Sequence, residues 1–240
     1  MRITEEGALF FDDAQRILGI TERAKKRFEN SDKSVLRVLS LGLYSHAELF
    51  FLPPALRRLS ELYPDLHPRL RVVPFRHIYR LLDEGDADAV IGFRYPETEK
   101  LTAVYKELAK LPITCVCSTR HRLADRDLVD MGELCGERLI LLDPNRAHPE
   151  AARIQGYLME GRPLSEAYFC ESAEAATVLA EAGTGIAVLP GIFERDDLGR
   201  VRRIPIRDAA EVSFGICYKT VRGNAPLKSL ISIMKESCSG

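Results

Sequence analysis

Six cysteines and five histidines are the side chains best suited to nucleophilic, redox or metal chemistry, and their spacing supports none of the three. The cysteines are Cys115, Cys117, Cys135, Cys170, Cys217 and Cys238. None forms a CxxC pair, and no histidine stands at a metal-ligand spacing from them. Cys115 and Cys117 lie two apart in an apolar run, so a strand would point both to one face. All six read best as small buried hydrophobes in a reducing cytosol. A redox pair such as Cys135 with Cys170 is the alternative. His121 and His148 have no evident partner. No GxSxG, HExxH, GxxxxGK or GxGxxG run occurs, so the sequence shows no nucleophile elbow, zinc helix or phosphate loop. The chain does not read as an enzyme, and nothing in it requires a cofactor or a metal.

The charge balance narrows the partners. Lys and Arg number 34 against 35 Asp and Glu, a formal net charge of -1. That gives no electrostatic basis for tight, sequence-independent nucleic-acid binding. Hydrophobic residues make up 46% of the 240, enough for a sizeable core. No run approaches the roughly 18 consecutive apolar residues of a membrane span. The opening residues Met1 to Gly7 carry acids where a secretory signal has a basic start and an apolar core. A cytoplasmic chain without membrane contact is expected.

The elements that must position any site begin with a long helix over residues 1–33. Thr4 suits its cap, Glu5 and Glu6 its positive end, and Lys25, Lys26 and Arg27 its negative end. Phe10, Ala14, Ile17, Thr21, Ala24 and Phe28 are spaced four, three, four, three, four, the heptad rhythm of a coiled-coil seam. Such a stripe needs a partner, and a second copy of the chain is the natural one; packing on the chain's own body is the alternative. A rival reading takes Ile17 to Arg27 as helix, turn and basic recognition helix. The heptad runs through Gly19, however, no third helix follows to complete the core, and Asn30 to Ser34 reads as a polar linker rather than a wing.

From Val35 onward, apolar runs alternate with helical patterns. Val35 to Leu43 reads as a buried strand, followed by a helix with Leu49, Leu52, Leu56, Leu59 and Leu62 on one side. Pro53 and Pro54 must then stand near a first turn or a kink. Strands are expected at Leu70 to Phe75, Ala87 to Phe93, Leu101 to Leu111 and Ile113 to Ser118, with a helix from Ile78 to Asp83. The second half has strands at Arg138 to Leu142, Tyr168 to Cys170, Ile186 to Leu189, Val201 to Ile206 and Val212 to Tyr218. Its helices are Pro149 to Glu160, Ala173 to Ala182 and Pro226 to Ser237. This alternation implies an α/β fold with mostly parallel sheets.

Several segments resemble one family. Ile3 to Gly7 with Ala14 to Leu18 is similar to the end of the winged helix and the linker helix of LysR-type transcriptional regulators. Leu52 to Leu56 through Tyr63 to Leu66 resembles their first effector-domain helix, and Leu81 to Ile91 their following helix-to-strand segment. Thr119 to Ala124 is similar to a short "HPLA" segment, with Arg122 in place of the usual proline. Ser172 to Ala176 through Ala182 to Pro190 resembles the family's most recognisable run.

The resemblance implies a periplasmic-binding-protein type 2 fold: two α/β subdomains with a cleft between, preceded by the long N-terminal linker helix. Subdomain I would span 34–111 and 212–240, and subdomain II 112–211. A small-molecule effector, of which a carboxylate is one class, would sit where strand ends and helix N-termini meet. The family's cleft positions fall at Tyr44, Ser45 and His46; at Phe75, Arg76 and His77; and at Phe93 and Arg94. From subdomain II they fall at Asp143, Pro144 and Asn145, then Glu171 and Ser172. Ser45 and Ser172 have helix capping as the plainer role. Arg94 is the best placed to fork onto a carboxylate. A homodimer or homotetramer is implied. Operator DNA and RNA polymerase would be reached only through a full-length protein that carries the winged helix. The expected function is an effector sensor that closes on a metabolite; a solute-binding protein of the same fold is the alternative.

Overall fold

The alternating apolar runs build two five-stranded sheets. The computed structural model describes residues 4, 7, 10–11, 14, 17–18, 21, 37–45, 49, 51–73, 75–95, 102–191 and 200–238. The first sheet combines β1 (Arg37–Leu43), β2 (Leu66–Val72), β3 (Ala89–Phe93), β4 (Val104–Leu111) and β10 (Val212–Tyr218) in the order β2-β1-β3-β10-β4. β1 runs parallel to β2 and β3, and β10 runs antiparallel to β3 and β4. The second sheet combines β5 (Ile113–Ser118), β6 (Leu139–Leu142), β7 (Ala167–Cys170), β8 (Ile186–Pro190) and β9 (Val201–Pro205) in the order β7-β6-β8-β5-β9. β6 is parallel to β7 and β8, while β5 is antiparallel to β8 and β9.

The helices follow from the leucine spacing. α1 (Pro53–Leu62) carries its two prolines in the first turn, where a missing N–H costs nothing, and buries Ala55 and Leu59. α2 (Phe75–Asp83) and α6 (Ala225–Cys238) complete the first lobe, whose core joins Leu59 to Leu227, Leu230 and Met234. The second lobe holds α3 (Met131–Leu134), α4 (Pro149–Met159) and α5 (Ala173–Glu181). All six residues of β5 are buried, because this strand is covered on both faces. Ile113, Cys115 and Cys117 enter one core cluster and Val116 another, so the two thiols do share a face.

The chain passes between lobes twice, at Pro112 between β4 and β5 and over residues 206–211 between β9 and β10. The two crossings are tied together. Gly191 donates to the Pro112 carbonyl at 2.7 Å and Ile206 to the Ile113 carbonyl at 3.0 Å. A Cβ on Gly191 would stand 3.0 Å from that Pro112 oxygen, so only glycine fits here without a shift.

Some boundaries differ from the sequence reading. The strand expected at Leu70 to Phe75 runs over Leu66–Val72 instead, and Phe75 opens α2. Pro68 stands inside β2, an edge strand, where a proline is tolerated. Cys135 is exposed and Cys170 and Cys238 are half-buried, so the wholly buried reading holds only for Cys115, Cys117 and Cys217. Cys135 caps the short α3, which the apolar spacing did not reveal, and a helix end faces water. Among the described residues, no helix is long and apolar enough to cross a membrane.

Of the expected first helix, Gly7, Phe10, Phe11, Ala14, Ile17, Leu18 and Thr21 are helical, on both sides of Gly19. The Thr4 hydroxyl accepts the Gly7 N–H at 3.1 Å, the bond of an N-cap. Ala24 and Phe28 lie outside the described residues.

Candidate functional site at the meeting of the lobes

Four parallel strands deliver their carboxyl ends to one place. β1 leads into Tyr44 and Ser45, β3 into Arg94 and Tyr95, β6 into Asp143, and β7 into Glu171 and Ser172. Carboxyl ends of parallel strands are where α/β folds bind ligands, because the following loops and helix N-termini all face that edge.

Hydrogen bonds cross between the lobes there. The Tyr44 hydroxyl donates to the Arg146 carbonyl at 2.7 Å. The His148 Nε2 lies 3.3 Å from the Arg94 carbonyl. The His148 ring stands 5.2 Å from the Tyr95 ring and 6.0 Å from that of Phe93, and Tyr44 meets Tyr95 edge-on at 6.4 Å. Phe93 continues the aromatic row to Phe214 and then Phe51, which anchors the contact in the core of lobe I.

Lobe II presents its loop in one fixed shape. The Asp143 carboxylate accepts both the backbone and the side-chain amide of Asn145, at 2.9 and 3.1 Å. Arg146 reaches the Glu171 carboxylate at 3.4 Å and the Glu171 carbonyl at 3.3 Å. Ser172 caps α5 by accepting the Ala175 N–H at 3.1 Å. The expected plain role of Ser172 is thus present, and Asn145 is held by its own loop.

On lobe I, the Arg94 guanidinium lies over the Tyr105 ring, 5.5 Å from its centre. Tyr105 shares a hydrogen bond with Ser213, which donates to Glu107 at 2.6 Å. Burial, above all, pushes the Tyr105 phenol up to about 12. A Cβ on Gly215 would stand 2.4 Å from the Lys106 carbonyl oxygen and 2.6 Å from the Tyr105 ring, so this glycine admits Tyr105. A narrow cavity of about 300 Å³, counting its open mouth, runs beside the contact between Tyr44, Tyr79, Phe93, Tyr95, Tyr105 and Cys217. Its enclosed part holds about one water molecule. All of these lining residues belong to lobe I, and the lobes themselves meet through the Tyr44 and His148 bonds.

These observations describe two lobes, crossed twice and meeting at strand ends. The model of the "LysR substrate binding domain" matches residues 33–239. The chain belongs to the LysR substrate-binding family. Curated relatives agree. It is 26% identical over 238 residues to the "DNA-binding transcriptional dual regulator OxyR" of Escherichia coli, covering 98% of this chain and 76% of that protein. It is 28% identical over 222 residues to the "Uncharacterized HTH-type transcriptional regulator YnfL" of the same species, covering 88% and 71%. A putative LysR family regulator from Pseudomonas aeruginosa superposes with a TM-score of 0.67 at 19% identity, covering 99% of this chain and 82% of that one. The relatives are transcription regulators rather than enzymes, which favours the regulatory reading over a solute-binding one.

In this LysR domain, Tyr44, Phe93, Arg94, Asp143, Asn145, Glu171 and Ser172 gather at the lobe contact or its rim. Ser45 follows Tyr44 on the same loop. Phe75, Arg76 and His77 stand in the first turn of α2 rather than in a loop after a strand. His46 lies outside the described residues.

The sequence reading missed Tyr95, Arg146 and His148. It left His148 without a partner, whereas the ring sits between the lobes. The partner, Arg94, is 54 residues away and contributes a carbonyl, which leaves no trace in residue types. The signal that was available is local: Ala147-His148-Pro149 is a helix start, with a side chain before a proline at the first position. His121 also has a partner, the Glu137 carboxylate at 3.3 Å. Arg122, where the family has proline, pairs with that same Glu137 and donates to the Glu133 carbonyl at 2.8 Å. Ion pairs thereby fix the turn that a proline would stiffen.

Proposed function

We propose that this domain senses a small-molecule effector between its lobes, with carboxylates and aromatic acids as the first class to test. The observation that carries the reading is the set of strand ends from both lobes meeting at Tyr44, Arg94, Arg146 and His148. Arg94 and Arg146 supply guanidinium groups for an acid, and the tyrosines and Phe93 supply apolar walls for its body. With the Tyr44 and His148 bonds closing the contact, entry of an effector begins with the lobes parting about the crossings at Pro112 and 206–211.

Residues 1–33 would serve as the dimerising stalk, with Phe10, Ala14, Ile17 and Thr21 on the seam. In support, Phe10 is 76% exposed and Ile17 64% exposed on the single chain. A second copy covering that stripe removes the apolar surface from water. Assembly as a homodimer or homotetramer, and action on operator DNA and RNA polymerase through a full-length regulator, complete the proposal. The lobe separation set by the effector would be passed to the paired stalks.

A thermal-unfolding screen of small acids against the wild-type chain and Arg94→Ala tests the reading. An acid that raises the wild-type midpoint and leaves Arg94→Ala unmoved supports it. Equal shifts in both proteins remove Arg94 from the site.

A further inference from the structure

Lobe II holds an open cavity that shares no residue with the lobe contact. It lies between α3, α4 and the second crossing, and measures about 550 Å³ counting its mouth. That falls within the range of small-ligand sites, about 300–1,000 Å³. Its interior is far roomier than the one-water space in lobe I.

The floor is apolar. Ile154 on α4 is 1% exposed, and Met131 and Ala209 pack on the same core cluster. Tyr157, one turn along α4 from Arg153, leaves 54% of its surface open to water. Arg153, Arg207 and Asp208 complete the lining.

The crossing is pinned to lobe II on both sides of Asp208. Before it, the Arg207 N–H donates to the Val129 carbonyl at 2.8 Å, and the Arg207 Nε donates to the Asp130 carboxylate at 2.6 Å. After it, the Ala210 N–H donates to the Glu150 carboxylate at 3.4 Å. Arg153 holds that same carboxylate at 2.7 and 3.0 Å. Asp208 itself is exposed, with a φ of 58° in the left-handed region that L side chains rarely adopt.

We propose that this cavity binds an apolar α-amino acid as its zwitterion. The ammonium group pairs with Asp208, the carboxylate with the guanidinium groups of Arg153 and Arg207, and the side chain lies on Met131, Ile154 and Tyr157. The charges select that class. Asp130 and Glu150 already balance the two guanidinium groups, and Asp208 adds a third carboxylate. A simple acid would gain the guanidinium groups but meet those carboxylates, and a simple amine would gain Asp208 but meet the guanidinium groups. An α-amino acid carries both signs on one carbon and answers both. The apolar floor then favours an apolar side chain, because a polar one would lose its water without a partner. An occupant holds the crossing from outside the lobe contact, and the site stands whatever the contact binds.

The test is calorimetric titration of the chain with L-leucine, L-methionine and L-phenylalanine, and with the analogues of each that lack the ammonium or the carboxylate group. At least one amino acid should bind, and each of its analogues should bind about tenfold more weakly or worse. Asp208→Asn, which removes the charge and suits the left-handed backbone, should weaken the amino acid by a similar factor. On binding, the amide resonances of Tyr157 and Ala209 should move further than those of Tyr44 and Tyr95. No binding of any of the three at millimolar concentration overturns the proposal. So does an analogue that matches its parent, an Asp208→Asn chain that binds as the wild type does, or a binder whose largest shifts fall at Tyr44 and Tyr95.

Discussion

The Tyr44 hydroxyl donates to the Arg146 carbonyl across the lobes, joining the end of β1 to the loop after β6 over 102 residues of chain. It is shorter than the His148–Arg94 bond at the same contact, and it acts on a backbone atom rather than a side chain. Mutation of Arg146 would leave it in place, so Tyr44 is the residue to change. Tyr44→Phe keeps the edge-on packing against Tyr95 and removes one hydrogen bond, which should cost about 0.5–1.5 kcal/mol in urea unfolding. A loss above about 3 kcal/mol would mean the ring packing had gone too.

Gln155 fills the space where β6 and β8 part. Those strands pair only at Leu139 with Ile186 and Ile140 with Ala187. Beyond that, the buried Gln155 amide accepts the Leu142 N–H and donates to the Val188 carbonyl, each at 3.1 Å. Gln155→Leu strands both backbone groups without a partner, and unfolding should show about 2–4 kcal/mol of destabilisation. A neutral result would show that water replaces the amide.

Gly215 lies at the irregular step where β10 slips register against β4. Gly215→Ala puts a methyl group into the Lys106 carbonyl and the Tyr105 ring, and should destabilise by about 2–3 kcal/mol. The Tyr105 phenol, displaced from Ser213 and from its burial, should titrate below its value of about 12, moving toward the ordinary 10 in ultraviolet absorbance. An unshifted titration would place Tyr105 outside this contact.

The proposed stalk gives a prediction on assembly. Ile17→Asp sets a charge in the middle of an exposed apolar seam, and sedimentation should move the protein toward monomer. A wild-type chain that is monomeric at high concentration contradicts the dimer proposal directly.

Strand ends were legible in the sequence because apolar runs stop where the chain leaves the sheet, and Leu43, Phe93, Leu142 and Cys170 all mark such stops. The two lobes followed from the alternation and the resemblance together, but the expected mostly parallel sheets did not, since each sheet carries two antiparallel pairs, through β10 in the first and β5 in the second. The start of β2 escaped because most of the strand is exposed and breaks the apolar run, and one chain read alone does not show which strand lies at an edge. His148 and Arg146 escaped because both meet lobe I through main-chain carbonyls, which every residue owns. Gln155 escaped for a similar reason: a glutamine in a helix reads as surface until its two backbone partners are in view.

The lobe separation in the presence of an effector tests the sensing account most directly. With spin labels at Glu61 on lobe I and Glu160 on lobe II, both exposed, at constant neutral pH, a small acid that stabilises the chain should lengthen the distance, because entry between the lobes displaces the Tyr44–Arg146 and His148–Arg94 bonds. The same distance with and without a saturating, stabilising acid would show that the lobes do not answer to what they bind.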